Sequence, residues 1–124
     1  MDKNKSSELS TRLSEVVVYG MQEKKASEIV RLDLRNINSS VSDYFVICHA
    51  DSHIQANAIA KSVEDEVYKT FGQDPQYKEG HSIGEWLILD FVDVVVHIFK
   101  KEKRALYAIE DLWGDAQIQN FQSA

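Results

Sequence analysis

The chain has 124 residues, of which 44% are hydrophobic and 27% are charged, and its formal net charge is −6. This length and composition predict a single globular domain, residues 1–124. The acidic balance argues against a protein that holds nucleic acid by its own field, which normally requires a basic surface. It agrees better with a basic protein partner.

No apolar run approaches the ~20 residues that a membrane span requires. The N-terminus, MDKNKSSELS, lacks the apolar segment of a signal peptide. The single cysteine, Cys48, lies in an apolar run and is predicted to be a buried, reduced thiol. Together these features predict a cytoplasmic location.

The first part of the chain predicts a helix followed by two strands. After a polar tail, residues 1–5, which we expect to be disordered, apolar residues recur at helical spacing from Ser7 to Lys25, with Ser6 or Ser7 as the cap. Residues 29–35 alternate apolar and charged side chains, which is typical of a strand with one wet face. Residues 44–50, YFVICHA, predict a strand covered on both faces and paired antiparallel with the previous one.

A second helix is predicted after this pair of strands, with Ser52 as its N-cap and Gly72 just beyond its end. Its expected buried stripe is Ile54, Ala58, Val63, Val67 and Phe71. The following segment, QYKEGHSIGE, predicts a loop that could contain a very short strand. Residues 100–114 predict a third helix, whereas residues 115–124 have weak periodicity and remain an uncertain C-terminal tail. The order predicts an α+β (open α/β) fold with a small mixed β-sheet flanked by helices.

The stretch WLILDFVDVVVHIF, residues 86–99, predicts two strands joined by a tight turn at Phe91-Val92. This turn would place Asp90 opposite Asp93 and Trp86 opposite His97. Alternation then gives an aliphatic face that belongs against the helices and a second face of mixed character. The aliphatic face holds Leu87, Leu89, Val94, Val96 and Ile98; the second face holds Trp86, Ile88, Asp90, Asp93, Val95, His97 and Phe99.

The second face combines aromatic and polar side chains, as an interface core and its rim do. We therefore predict a binding surface, with His97 half open beside Trp86. The alternative is that His97 is a buried, hydrogen-bonded histidine. Phe-Val is poor chemistry for a two-residue turn, and a register shift by one residue would exchange the two faces.

Basic residues crowd the start of the third helix, at Lys100, Lys101, Lys103 and Arg104. The positive end of a helix dipole disfavours cations. These residues are therefore either solvent-exposed charges without a function or a contact for phosphate or carboxylate. Arg104 and Tyr107 share a helix face. Trp113 could either plug the domain or extend the binding surface.

Features that could carry chemistry are weak. Asp90 and Asp93 could hold Mg²⁺, but carboxylates beside a turn commonly serve local hydrogen bonding. His49, Asp51 and His53 lack the spacing of a zinc site. Phosphate-binding loops and nucleophile motifs do not occur in the sequence. We expect no enzyme activity, catalytic residue, metal or cofactor; the alternative is a metal-dependent nucleotide-binding or nucleotidyl-transferring enzyme that uses Asp90 and Asp93.

An ordered set of residues between positions 26 and 114 has specific spacings. Its members are DYFVI at 43–47, Ser52, AIA at 58–60, Glu79-Gly80, Trp86, Asp90, DVVVH at 93–97, Arg104, Tyr107, Glu110 and Leu112-Trp113. This set resembles the ribosomal silencing factor S family, also called the Iojap family. Two departures occur, since Val92 and Ala50 stand where the family commonly has glycine.

The resemblance implies a nucleotidyltransferase-like fold without its catalytic site. It also implies binding to the large ribosomal subunit through its fourteenth ribosomal protein, with steric blocking of subunit joining and repression of translation. The implied partners exclude DNA and membranes, and include a minor ribosomal RNA contact and a homodimer of the free protein.

The implied contact residues are Trp86, Asp90, His97, Arg104 and Tyr107, with Phe99, Lys103 and Trp113 as further matches. In this scheme Trp86 and Tyr107 anchor the contact hydrophobically. Asp90 and Arg104 orient it through charge-assisted hydrogen bonds, and His97 fixes the face through a hydrogen bond.

Overall fold

The structure is a computed structural model that describes residues 3–37, 42–81, 84–107 and 116–123. In this part of the chain it contains three helices and six strands. The helices are α1 (Lys3–Glu23), α2 (His53–Phe71) and α3 (Lys101–Tyr107). The strands are β1 (Ser27–Asp33), β2 (Tyr44–Ala50), β3 (Tyr77–Glu79), β4 (Trp86–Asp90), β5 (Val94–Lys100) and β6 (Gln117–Phe121).

The strands form one mixed sheet in the order β3-β4-β5-β2-β1-β6. Strands β2 and β5 are parallel, and the other neighbouring pairs are antiparallel. This confirms the mixed α+β sheet, the antiparallel β1–β2 pair and the short strand β3. Strand β2 lies at the centre and is buried except for a partly exposed Phe45, as its continuous apolar run predicts.

Helices α1 and α2 cover one face of the sheet and enclose the main core. That core joins Val17 and Met21 of α1 and Ile59 and Val63 of α2 to the helix-facing side chains of β2, β4 and β5. The two helices approach closely, as the hydrogen bond from the Ser62 hydroxyl to the Gly20 carbonyl at 2.8 Å shows. The aliphatic face predicted for the β4–β5 hairpin belongs to this core.

Local signals placed α2 well but misplaced part of its buried stripe. Ser52 accepts the Gln55 amide at 3.1 Å, and Gly72, in a left-handed conformation, donates to the Tyr68 carbonyl. The prediction that Ile54 is a core residue is wrong, because Ile54 is 73% exposed in the first helical turn. Ala56, Ile59 and Ala60 are buried instead. Ala58 and Phe71 are only partly buried, while Val63 and Val67 are buried as predicted.

The helix termini also differ from the predicted bounds. Helix α1 already includes Lys3, so Ser7 is an interior residue whose carbonyl accepts the Thr11 hydroxyl at 2.9 Å. Helix α3 is described as far as Tyr107, and the predicted continuation to residue 114 lies outside the described residues.

Strand β6, for which the sequence carried no prediction, pairs antiparallel with β1. Arg31 of β1 contributes to this pairing. Its guanidinium lies 5.0 Å from the Tyr44 ring centroid and 5.5 Å from that of Phe121, and it donates to the side chains of Ser14 and Gln119. The side chains that hold β6 thus come from distant parts of the chain.

Candidate docking surface

The β4–β5 hairpin has a register that differs from the predicted one by two residues. Trp86 lies opposite Phe99, Ile88 opposite His97 and Asp90 opposite Val95. The predicted pairs Trp86–His97 and Asp90–Asp93 are therefore wrong. Because the shift is even, side chains stay on the faces that alternation assigned to them, and only Asp93 leaves its strand for the turn.

The difference arises because the turn lies one residue later than predicted, at Val92-Asp93 instead of Phe91-Val92, which places Phe91 opposite Val94. Phe91 donates its amide to the Val94 carbonyl at 2.9 Å, and Asp93 donates to the Phe91 carbonyl at 3.0 Å. Asp90 Oδ1 accepts the Val92 amide at 2.7 Å. Val92 has a φ of +76°, a conformation that β-branched residues rarely adopt.

The second face of the sheet carries a row of partly exposed side chains on three adjacent strands. Phe45 of β2, Val95 of β5 and Asp90 of β4 are in register with one another, and Trp86 and Ile88 lie beside them on β4. We call these five residues, Phe45, Trp86, Ile88, Asp90 and Val95, the docking face. Phe45 was not among the predicted site residues, because the hairpin pattern alone gives no sign of which strand lies next to β5.

Buried side chains support the docking face from within the sheet. Phe99 is buried and stacks on Trp86, with ring centroids 5.1 Å apart and an interplanar angle of 27°. Phe99 also packs with Val30, Leu32, Leu34 and Ile47 in a second apolar cluster on this side of the sheet. The backbone of Gly80 approaches so closely that an added Cβ would lie 1.9 Å from the Trp86 carbonyl oxygen. The main chain at Trp86 is therefore tightly confined.

His97 lies at the centre of this arrangement and is only 4% exposed. The expectation of a half-open His97 is wrong, and the alternative of a buried, hydrogen-bonded histidine is confirmed. Its Nδ1 accepts the Trp86 indole N–H at 3.1 Å. Burial lowers the pKa of His97 from 6.5 to about 4, so the ring is neutral at pH 7 and carries its proton on Nε2. That Nε2 is buried without a hydrogen-bond partner.

Arg104 is also buried and directs its charge into the protein. Its Nη1 donates to the Glu28 carbonyl at 2.7 Å and to His49 Nδ1 at 3.1 Å, and the Glu28 carboxylate lies 4.0 Å away. Burial, and then the positive charge of Arg104, lower the pKa of His49. Glu28 has a φ of +47° in the β-bulge of β1. Arg104 therefore attaches α3 to this bulge, a role that sequence spacing did not indicate.

Among the remaining predicted site residues, Lys103 is the one whose side chain is described. Lys103 is partly exposed and lies 4.0 Å from the Glu85 carboxylate. Helix α3 is described as far as the backbone of Tyr107, whose side chain lies outside the described part. Trp113 lies outside the described residues.

The described residues give little support to a metal site or to a nucleophile. Within them, no cluster of three or more His, Cys, Asp or Glu side chains could hold a metal ion. Asp90 is engaged by Val92, and the pKa of Asp93 is raised by burial and by Asp43. Cys48 is buried, as predicted, and burial raises its pKa to about 12, so its thiol stays protonated. In the same ranges, no helix has the length and apolar character to span a membrane.

The fold and the docking face define a class: an α+β domain with a mixed sheet, helices α1 and α2 on one face and an aromatic surface on the other. Residues 7–124 match the family model described as ribosomal silencing factor during starvation. The chain belongs to this family.

Relatives and a solved structure agree with this assignment. The chain is similar to the ribosomal silencing factors of Halalkalibacterium halodurans and Bacillus subtilis. The first is 39% identical over 104 residues, covering 84% of this chain and 87% of the relative. The second is 39% identical over 103 residues, covering 83% and 86%. A crystal structure of a Chromobacterium violaceum protein matches with a TM-score of 0.78 and 31% identity, over 92% of this chain and 94% of that one. The family name describes a regulatory role connected with the ribosome.

Proposed function

We propose that the protein represses translation by binding the large ribosomal subunit through its fourteenth ribosomal protein, where it sterically blocks joining of the small subunit. The observation that supports this proposal is the docking face, where a partly exposed Trp86 stands on a buried aromatic base in a chain of the silencing family. Large aromatic residues on a preformed support are typical anchors of protein interfaces. The mechanism requires no bond chemistry, only occupancy.

The contact residues divide into those that touch the partner and those that support them. Trp86, Asp90 and Lys103 are accessible and would make direct contacts. His97, Phe99 and Arg104 are buried and would act from beneath. Tyr107 and Trp113 are proposed as further contacts on the resemblance of their sequence positions.

The net charge of the chain supports a basic protein as the partner. The chain has a net charge of −6, and an acidic domain is attracted to a basic ribosomal protein. Lys100, Lys101 and Lys103 would add a minor contact with ribosomal RNA phosphates. We also propose that two free molecules pair through the docking face, so that dimerisation competes with ribosome binding, and that the protein acts in the cytoplasm.

Subunit association in solution tests the proposal. Light scattering of separated subunits is followed as magnesium is raised, with and without excess protein, and the protein is then sedimented with each subunit. We expect suppressed association and co-sedimentation with the large subunit only. Normal association without co-sedimentation would remove the silencing mechanism.

Two alanine variants separate the docking face from the rest of the surface. Trp86→Ala should weaken binding to the large subunit by about 2 kcal/mol, roughly 30-fold in Kd, because it removes a central aromatic anchor. Tyr68→Ala is the matched control, since Tyr68 is a 58% exposed aromatic residue on α2, away from the docking face. Equal affinities of the two variants would exclude Trp86 as an anchor; circular dichroism checks that both are folded.

A further inference from the structure

Trp86 and His97 are diagonal neighbours on the same face of the β4–β5 hairpin. Trp86 lies directly opposite Phe99, two residues beyond His97, so the two side chains meet only because both are long enough to reach. The indole N–H of Trp86 donates to His97 Nδ1 at 3.1 Å, and the ring centroids are 5.9 Å apart. The indole is therefore held by stacking on Phe99 and by this hydrogen bond.

The surroundings of His97 are those of an apolar core residue. Its neighbours in register are Ile47 on β2 and Ile88 on β4, and the Phe45 ring lies 4.8 Å from the imidazole. Its Nε2–H is buried without a partner, which destabilises the folded state. A leucine would fill this place without that penalty, so the imidazole costs stability, and the polar contact that it provides in return is an acceptor for the Trp86 indole.

An acceptor at this position would matter for docking. A tryptophan that already has its bound orientation loses less side-chain freedom when a partner arrives. An indole N–H satisfied inside the protein also leaves the ring to present only apolar surface. Unfavourable polar groups of this kind are concentrated at functional sites.

We propose that His97 is a positioning residue: its neutral imidazole, protonated on Nε2, fixes the Trp86 indole in the orientation that docks. His97 itself does not touch the partner. This inference rests on the proposed function for its effect on ribosome binding, but not for its effect on Trp86 in the free protein. It makes a distinctive prediction, that removing the imidazole increases stability while it weakens binding.

The free protein provides the first test, without any substitution at position 97. In a Trp113→Phe background Trp86 is the sole tryptophan, and its ¹⁵N-labelled indole gives one NMR signal. We expect scalar coupling through the hydrogen bond between Trp86 Nε1 and His97 Nδ1, and ¹⁵N shifts of a ring protonated on Nε2. A ring protonated on Nδ1, or a Trp86 indole that exchanges with water as fast as a free indole, would overturn the proposal.

Two variants at position 97 provide the second test, with the Trp86 signal recorded in the Trp113→Phe background and melting and subunit binding measured in the otherwise unmodified chain. His97→Asn retains an acceptor oxygen near the place of Nδ1, whereas His97→Leu removes the acceptor and keeps the burial. We expect His97→Leu to melt at a higher temperature, to shift the Trp86 indole signal upfield with several conformers, and to bind the large subunit about 5- to 10-fold more weakly. His97→Asn should restore the single indole conformer and most of the affinity.

The outcomes separate this inference from the proposed function. If Trp86 responds as expected but the unmodified protein does not bind ribosomes, the positioning role stands and the proposed function fails. If the unmodified protein binds and the leucine variant binds equally well, the positioning role in docking is wrong. An unchanged Trp86 signal in the leucine variant also overturns it.

Discussion

Val92 is the first residue of the β4–β5 turn and has a φ of +76°, while its side chain is 49% exposed and contributes little packing. A β-branched residue in this conformation destabilises the folded state by roughly 1–3 kcal/mol. Glycine relieves this strain, but it loses more conformational entropy on folding, which offsets part of the gain. Val92→Gly should therefore increase the free energy of unfolding by about 1 kcal/mol. Urea denaturation at pH 7 measures this change.

A matched variant isolates the backbone effect at this turn. Val92→Ala removes the branched side chain but keeps a Cβ, so alanine should recover only a small part of the gain from glycine. Equal stabilities of the glycine and alanine variants would show that φ at position 92 is not a source of strain.

His97 gives the protein a pH-dependent stability of known sign. Its pKa is lowered by burial from 6.5 to about 4, so between these values the unfolded chain binds a proton that the folded chain does not. The free energy of unfolding should therefore fall as the pH falls from about 6.5 towards 4, by up to about 3 kcal/mol from this residue. Urea denaturation at several pH values from about 7 to 4.5 measures the slope.

The leucine variant at position 97 is the control for this slope. It removes the His97 contribution but retains that of His49, whose pKa is also lowered by burial. The difference between the two curves thus reports His97 alone. Parallel curves across this range would contradict a buried, neutral His97.

At the scale of elements, the contact between α1 and α2 depends on a glycine for space rather than for conformation. A Cβ added at Gly20 would lie 2.8 Å from the Cα of Val63, a backbone atom that cannot rotate away. Alanine within a helix normally stabilises by about 1 kcal/mol, whereas overpacking costs about 1–3 kcal/mol. Gly20→Ala should therefore destabilise the protein by up to about 2 kcal/mol.

Thermal unfolding of Gly20→Ala checks this expectation against a neighbour. Tyr19 is half exposed on the same helix, and Tyr19→Ala should change stability by less than about 0.5 kcal/mol. A higher melting temperature for Gly20→Ala would mean that the helices have room to move apart at little cost.

Elements with local signals were predictable, and elements that depend on distant contacts were not. Ser52 and Gly72 defined α2 because capping is decided within a few residues. Strand β6 has no such signal: four of its five residues are exposed, and it is held by pairing with β1 and by Arg31. Ile54 follows helical periodicity but falls in the turn of α2 that the sheet does not cover.

At the scale of the whole molecule, the docking face is assembled from segments far apart in the chain. The face membership of Trp86, Ile88 and Asp90 was predictable, because period-2 alternation survives an even register shift. The burial of His97 was not predictable from the hairpin alone. It follows from Ile47 and Phe45 on β2, which becomes the neighbour of β5 through a parallel pairing across about 50 residues of sequence.

We expect the net charge of −6 and the local charge at Asp90 to contribute separately to docking. Asp90→Asn and Asp74→Asn each remove one negative charge, but only Asp90 lies on the docking face, whereas Asp74 is exposed beyond the end of α2. Asparagine keeps the oxygen that accepts the Val92 amide, so the turn should persist. If the electrostatic field of the whole molecule alone steered association, both substitutions would lower the association rate by the same factor.

We expect Asp90→Asn to reduce the association rate with the isolated basic ribosomal protein several-fold more than Asp74→Asn. The reason is that a charge at the rim of an interface lies close to the opposite charges of the partner, where salt screens the attraction least. Stopped-flow measurements at low and high salt test this. The rate for the unmodified protein should fall with salt, and the difference between the two variants should shrink as screening removes the attraction at Asp90. A difference that persists at high salt would instead identify a hydrogen bond of the Asp90 carboxylate, visible in the dissociation rate, as its main contribution.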